Sequence, residues 1–291
     1  NEMIDEELGY KSIALRNSLI RFKKSDEYNE RDKGWGEITT SFIKRDGENS
    51  TLKLNSEKIG IGANIFEPIS NSKNLDKYFK GTDYIFHLAA LAQIIPSIKY
   101  PKKYFKNNVI GTIKVLEAAK KVKIKKFIYA ASSSCYGVPK NIPTSENDEI
   151  DLRNPYAVTK FVGEEIVMKY ASMFKMPNIS FRFFNVYGPR LNISGQYSAV
   201  IGNFLSQTKK NKKLTIVGDG KQTRDFIHVD DLANAFIKVI KSKKVNKIYN
   251  LGSGKKTSIN LIAKIFGGKK KFIPIRPGEP KNSLANISKI K

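Results

Sequence analysis

From about Leu75 onward the chain alternates short apolar runs with longer amphipathic stretches, and this alternation limits the fold more than any other feature. Asp83–Ala90 (DYIFHLAA) is an apolar run of the kind that fills a parallel strand buried on both faces. Residues 102–121 follow with helical spacing through Phe105, Val109, Thr112, Val115, Leu116 and Ala119. Lys126–Ala131 (KFIYAA) reads as the next strand, and a loop rich in Pro, Asn and Asp runs to Pro155. Residues 156–175 make a second amphipathic helix through Phe161, Val162, Ile166, Val167, Tyr170 and Phe174, and Ile179–Phe184 is another strand. Strands alternating with helices predict an α/β fold, a Rossmann-like doubly wound parallel sheet with helices on both faces. Beyond Gly188 the elements shorten: a helix around 198–209, strands at Leu214–Val217, Asp225–Val229 and Ile248–Leu251, a helix capped by Asp230 and running through Ile240, and a helix over 259–266 capped by Ser258. This region predicts a smaller mixed α/β lobe. Residues 1–60 are polar and charge-rich without a strand–turn–helix unit, so the sheet is expected to be incomplete at its N-terminal part. The expected division is 1–60 unassigned, a segment foreign to this pattern or disordered; 61–190 a partial Rossmann-like domain; and 191–291 the smaller lobe.

Composition narrows the function. No stretch approaches the roughly 20 apolar residues of a membrane span, and Asn1–Leu8 carries acids where a secretory leader would be basic and then apolar. Cys135 is the single cysteine, which excludes an internal disulfide and a cysteine-built zinc site and suits the reducing cytoplasm; no metal site is expected. The formal charge of +25 is spread along the chain. Clusters such as Lys209-Lys210 and Lys269-Lys270-Lys271 do not interleave with aromatics as a base-stacking platform does, so a nucleic-acid partner is not expected. A positive field would instead help gather a diphosphate.

The chemistry rests on Pro155-Tyr156-Ala157-Val158-Thr159-Lys160. Residues four apart share a helix face, one turn along. An ammonium beside a phenol favours the phenolate, which turns a tyrosine of ordinary pKa near 10 into a usable base at neutral pH. The spacing alone is weak, since Tyr-x-x-x-Lys pairs are common on helix surfaces. The strand Lys126–Ala131, however, ends in Ser132-Ser133-Ser134-Cys135-Tyr136-Gly137, and ligands of open α/β sheets gather at the carboxyl ends of strands. A hydroxyl there would hold a reacting hydroxyl in line with the tyrosine; the bland alternative is that the serines only satisfy a turn.

With these residues in view, the chain resembles the extended short-chain dehydrogenase/reductases, specifically the NAD-dependent nucleotide-sugar epimerases of the UDP-glucose 4-epimerase type. The resemblance runs from about Lys73 to Lys291 in ordered blocks: Asp83–Ala92, Asn107–Thr112 (NNVIGT), Ala130–Gly137 (AASSSCYG), Pro155–Lys160, Arg182–Pro189 (RFFNVYGP), Gly218–Asp231 (GDGKQTRDFIHVDD), Asn250–Gly252 and Arg276–Glu279 (RPGE). It implies that Tyr156 is the catalytic base, Lys160 its partner and a ribose ligand, and Ser132 the hydroxyl that orients the substrate. Ala89, Ala90 and Asn108 match cofactor-contacting positions, so residues 61–190 would bind NAD. His87 is given no role beyond that of a packed strand histidine. Ser133, Ser134, Asn185, Arg224, Arg276 and Glu279 are the implied substrate ligands, the arginines for the diphosphate and Glu279 for a ribose; a surface ion pair is the alternative for any one of them. The implied reaction takes the proton from the sugar 4-hydroxyl through Tyr156 and passes the C4 hydride to NAD⁺; the 4-keto sugar then turns and receives the hydride on its other face. A homodimer pairing the helices 102–121 and 156–175 is also implied, although those faces would equally serve as core.

Four features qualify this. The related 4,6-dehydratases place an Asp-Glu pair directly after the strand-end hydroxyl residue, where this chain has Ser133 and Ser134; dehydration is therefore disfavoured, while decarboxylases, reductases and a non-catalytic sugar-nucleotide-binding remnant stay open. The family also opens on a glycine-rich turn between a strand and a helix, which Gly34-Trp35-Gly36 and Gly60-Ile61-Gly62 do not supply. Phe66-Glu67-Pro68-Ile69-Ser70 has proline where an adenosine-binding acid is expected. The chain also stops soon after RPGE, so the expectation is an incomplete or misassembled reading frame, or a variant with a replaced N-terminus, whose lost first strand exposes its neighbour's edge.

Overall fold

In the computed structural model the expected alternation is realised as a five-stranded sheet with helices on both faces. The structure describes residues 40–44, 69–70, 75–189, 191, 200–275 and 279–291. The strands are β1 (Thr40–Lys44), β2 (Thr82–His87), β3 (Lys126–Ser132), β4 (Asn178–Phe183), β5 (Asn185–Tyr187), β6 (Leu214–Val217), β7 (Thr223–His228), β8 (Lys247–Leu251), β9 (Lys256–Ser258) and β10 (Lys270–Ile273). The helices are α1 (Leu75–Phe79), α2 (Ile94–Lys99), α3 (Pro101–Tyr104), α4 (Gly111–Val122), α5 (Pro155–Phe174), α6 (Val200–Lys209), α7 (Val229–Lys241) and α8 (Ile259–Phe266). A π-helical turn, Phe105–Ile110, joins α3 to α4, and a 3₁₀ turn, Ser133–Tyr136, follows β3.

Contacts divide the chain into two discontinuous units rather than at residue 190. The first takes Asn1–Ala131, Asn154–Phe181 and Ala233–Ile248; the second takes Ser132–Arg153, Arg182–Leu232 and Tyr249–Lys291. A linear boundary fails because the chain leaves the sheet at the ends of β3 and β4 and later returns to it. The large sheet has the order β1-β2-β3-β4-β8, with β2 and β3 parallel. Alternation along its strands sorts the residues by face. Ile85, Phe127 and Tyr129 join Leu75, Phe79, Val115, Leu116 and Val167 in one core cluster, while Phe86 and Phe181 stack on Phe236 of α7 at 5.0 and 5.8 Å. Burying each such side chain contributes about 1.5–3 kcal/mol. In the second unit β10 pairs with β6 in parallel, and β5-β7-β9 is a mixed three-stranded sheet.

Several expectations are corrected. β2 does not present a bare edge: β1, within the segment left unassigned, pairs with it antiparallel, Thr40 opposite His87. The helix expected over 102–121 is interrupted by the π turn. The extra residue per turn rotates the buried face, so Asn108 is 1 % exposed while Phe105, expected in the core, is 41 % exposed. On α5 the buried face is Ala157, Thr159, Lys160, Gly163, Glu164, Val167 and Ala171; of the expected apolar set Val167 lies on it, Ile166 and Tyr170 pack half-buried against the core, and Phe174 is exposed. Asp230 does not cap α7 but lies with Asp231 inside its first turn, where carboxylates oppose the helix dipole favourably. Ser258 does cap α8, accepting from the Leu261 N–H at 3.2 Å. The glycine pairs at 34–36 and 60–62, Phe66-Glu67-Pro68 and Arg276 lie outside the described residues.

Candidate active site

Asn154 starts α5. Its Oδ1 accepts from the Ala157 N–H at 2.9 Å, and Pro155 at the first helical position lacks the N–H that would go unpaired there. The Tyr156 N–H donates to Oγ of buried Ser97 on α2 at 3.1 Å, and the Tyr156 ring meets Tyr104 edge to face at 6.5 Å. Burial pushes the Tyr104 phenol up to about 12, so it stays protonated. One turn further, Lys160 is buried with its ammonium 4.3 Å from the Tyr129 ring centroid. Burial pulls it down to about 7, against the opposing pull of the Glu164 carboxylate. Among the described residues the ammonium makes no hydrogen bond or ion pair, which leaves its N–H donors for an incoming hydroxyl.

The turn after β2 carries Ala89, buried, and Ala90, half-buried. Asn108 clasps it: Oδ1 accepts from the Leu91 N–H at 2.8 Å, and Nδ2 donates to the Leu91 carbonyl and to Thr159 Oγ1, both at 3.0 Å. Thr159 Oγ1 in turn donates to the Tyr156 carbonyl at 3.0 Å. The structure thus joins the Ala89-Ala90 turn, Asn108 and the Tyr156–Lys160 helix. The Asn108 amide engages Leu91 and Thr159, and these bonds set the turn's shape. His87 is a buried strand histidine. Thr112 Oγ1 gives its proton to the Asn108 carbonyl at 2.6 Å, so the His87 Nε2–H donates to Thr112 at 2.9 Å. Burial and the Lys160 charge pull His87 down to about 3.

In the second unit Ser132 Oγ accepts from the Ser134 N–H at 3.2 Å and from Ser134 Oγ at 2.8 Å, with Ser133 half-buried between them. The serines do satisfy a turn, yet both bonds are accepted ones, and the Ser132 proton remains to be donated. Arg224 and Glu279, expected as separate ligands, bind each other: Nη2 donates to Oε1 at 2.8 Å, while Nη1 donates to the Thr223 carbonyl at 2.9 Å. Asn185 Nδ2 donates to the Asp225 carbonyl at 3.1 Å.

Sequence reasoning missed several organising residues. Asp225, fully buried, accepts from the N–H groups of Ser253, Gly254 and Ala285 and from Ser253 Oγ. Arg182 Nη1 donates to Tyr136 Oη at 2.9 Å, Tyr136 Oη to Asn250 Oδ1 at 2.7 Å, and Asn250 Nδ2 to the Thr144 carbonyl at 2.9 Å. The available signal was membership of the blocks AASSSCYG, RFFNVYGP, GDGKQTRDFIHVDD and Asn250–Gly252, three of which meet in the arginine network.

The sequence profile of the NAD-dependent epimerase/dehydratase family matches residues 36–252. The chain belongs to this family. A putative UDP-glucose 4-epimerase of Methanocaldococcus jannaschii is 36 % identical over 209 residues, 71 % of this chain and 68 % of that protein. A dTDP-D-glucose 4,6-dehydratase of Dictyostelium discoideum is 34 % identical over 199 residues, 64 % of this chain, and the match spans only 45 % of that protein. Among solved structures, the UDP-glucuronic acid 4-epimerase of Bacillus cereus in complex with UDP-glucuronic acid and NAD superposes with a TM-score of 0.71 at 35 % identity, covering 77 % of this chain and 72 % of that one.

The family's cofactor is NAD, and the described residues fit it. The small residues Ala89 and Ala90 stand at the carboxyl end of β2, where open α/β sheets bind their ligands, and the uncommitted Lys160 donors suit ribose hydroxyls. No helix among the described residues is long and apolar enough to cross a membrane.

Proposed function

We propose that the chain is a nucleotide-sugar 4-epimerase acting on a UDP-linked hexose or a close relative. The observation that carries this reading is Lys160: a buried ammonium with donors to spare, one helical turn from Tyr156. A charge in that low-dielectric position favours the phenolate and makes Tyr156 a base for the sugar 4-hydroxyl. Ser132, at the end of β3, contributes a hydroxyl whose proton can hold the reacting oxygen. The chemistry that bound NAD⁺ supplies is reversible hydride acceptance at the sugar carbon. Tyr156 later returns the proton to the other epimer's hydroxyl, so the protein ends in its starting protonation state. Arg224 and Arg276 bind the diphosphate, a guanidinium fork suiting phosphate oxygens; Asn185, Ser133 and Ser134 hold the sugar, and Glu279 a ribose hydroxyl. Ser133 and Ser134 stand where a dehydratase carries its acid pair, which supports epimerisation over elimination. The single cysteine, buried and reduced, suits a cytoplasmic enzyme. Exposed Phe105, Ile110, Met173 and Phe174 on the two long helical stretches suit a homodimer.

The test is interconversion of UDP-glucose and UDP-galactose, and of the corresponding UDP-uronic acids, with NAD⁺ present. Tyr156→Phe should lower turnover by about 10²–10⁴-fold with substrate affinity retained. Full activity in that variant, or UDP binding by a wild-type chain that takes up no NAD⁺, would overturn the assignment.

A further inference from the structure

Glu164 stands one turn beyond Lys160 on α5, as Lys160 stands one turn beyond Tyr156, so the three share a face. It is 1 % exposed, and a carboxylate so buried costs several kcal/mol unless it is held. Ser180 of β4 holds it, donating from Oγ to Oε2 at 2.9 Å. Nothing in the epimerase chemistry above uses this carboxylate.

We propose that Glu164, anchored by Ser180, is a positioning residue that keeps Lys160 in its ammonium form without bonding to it. This rests on the epimerase reading. The groups facing Lys160 leave the task to Glu164. From β3 comes Tyr129, whose phenol burial holds in its protonated form and whose hydroxyl donates to the Lys160 carbonyl at 3.4 Å. From β2 comes His87, neutral at any working pH. The π turn brings only neutral Asn108, and α4 only neutral Thr112. On α5 itself stand Tyr156 and Glu164. Among the described residues, Glu164 is the one carboxylate acting on the lysine charge. A direct ion pair would consume the N–H donors that a ribose or the Tyr156 oxygen needs. A carboxylate one turn away, tied to a serine, supports the charge and spends none of them.

The ammonium exists below the lysine's own pKa, so removing the carboxylate should move its loss to lower pH. The probe is Glu164→Gln, which keeps the volume and can still accept from Ser180. Lys160 is titrated by NMR of the full chain with lysine labelled at Cε, its signal identified by its loss in Lys160→Met. The expected midpoint moves down from the wild-type value by about one unit. The alkaline limb of kcat should follow it while KM for the sugar nucleotide changes little, and Glu164→Asp should restore part of the shift. Ser180→Ala should move the midpoint in the same direction by less. An unchanged Lys160 midpoint in folded Glu164→Gln overturns the proposal; if that variant fails to fold, an unchanged midpoint in Ser180→Ala does so. The titration needs no turnover, so a shifted midpoint in a chain without epimerase activity supports the electrostatic role and refutes only the function assigned above.

Discussion

Replacing Asn108 tests whether the turn after β2 is shaped by the π-helical segment. Its amide makes three buried hydrogen bonds, at 2.8, 3.0 and 3.0 Å, to both backbone groups of Leu91 and to Thr159. At about 1 kcal/mol net for each neutral bond, their loss comes to about 3 kcal/mol. Leu91 is only 9 % exposed, so its abandoned N–H adds a desolvation penalty of about 1–2 kcal/mol in Asn108→Ala. The total, about 4–5 kcal/mol, is a large share of a typical domain's 5–15 kcal/mol, yet leaves a folded protein to measure. Asn108→Leu keeps the volume and so separates the polar loss from the cavity. Urea unfolding followed by circular dichroism gives the midpoint and slope for each variant. NAD⁺ affinity by calorimetry should fall roughly tenfold in both as the Ala89-Ala90 turn loosens, about 1.4 kcal/mol of binding. A cost below about 1 kcal/mol in Asn108→Ala, or Asn108→Leu as stable as the wild type, would refute the clasp.

Two further substitutions probe the same core. His87 is held near 3 when folded against 6.5 when free, so between those values the unfolded chain binds the extra proton and stability falls as the pH drops, by at most about 1.4 kcal/mol per pH unit. His87→Gln should flatten that acid limb in pH-dependent urea unfolding; parallel limbs would show that His87 does not enter buried and neutral. In Gly163→Ala the new methyl would meet the hydroxyl of Tyr129 and stand 3.1 Å from its Cζ, and Tyr129 is fully buried and cannot yield. Overpacking of about 1–3 kcal/mol should outweigh alanine's helix advantage of about 1 kcal/mol and lower Tm, whereas a raised Tm would mean the α5–β3 contact is looser than described.

Local chemistry made much of the fold legible. DYIFHLAA and KFIYAA are continuous apolar runs because β2 and β3 are covered on both faces, and such runs show in a sequence wherever they occur. The Ser258 cap and the Tyr156–Lys160 spacing are equally local, each decided within one helical turn. The reading failed where helical periodicity was trusted to name the buried face. On α5 the inward face holds Lys160, Gly163 and Glu164, which apolar periodicity assigns to solvent, because Tyr129 and Ser180 supply partners from other strands. Before α4 one extra residue in the π turn exchanged Phe105 for Asn108, a shift that an ideal 3.6-residue repeat cannot register. The strand Thr40–Lys44 was passed over because five residues in a polar stretch carry little pattern, and its pairing with β2 supplies the reason it forms.

What the sequence by itself determined is the order of the main strands and helices from β2 onward and the Tyr156–Lys160 pair, since both are written in residues a few positions apart. The tertiary structure alone decided that Asn108 grips Leu91 and Thr159, that Glu164 is tied to Ser180, and that Arg224 holds Glu279, 55 positions away. Each of these is a polar contact between segments distant in the chain. Its energy depends on burial and on a partner that no local repeat encodes, so it becomes visible only once the strands and helices have packed.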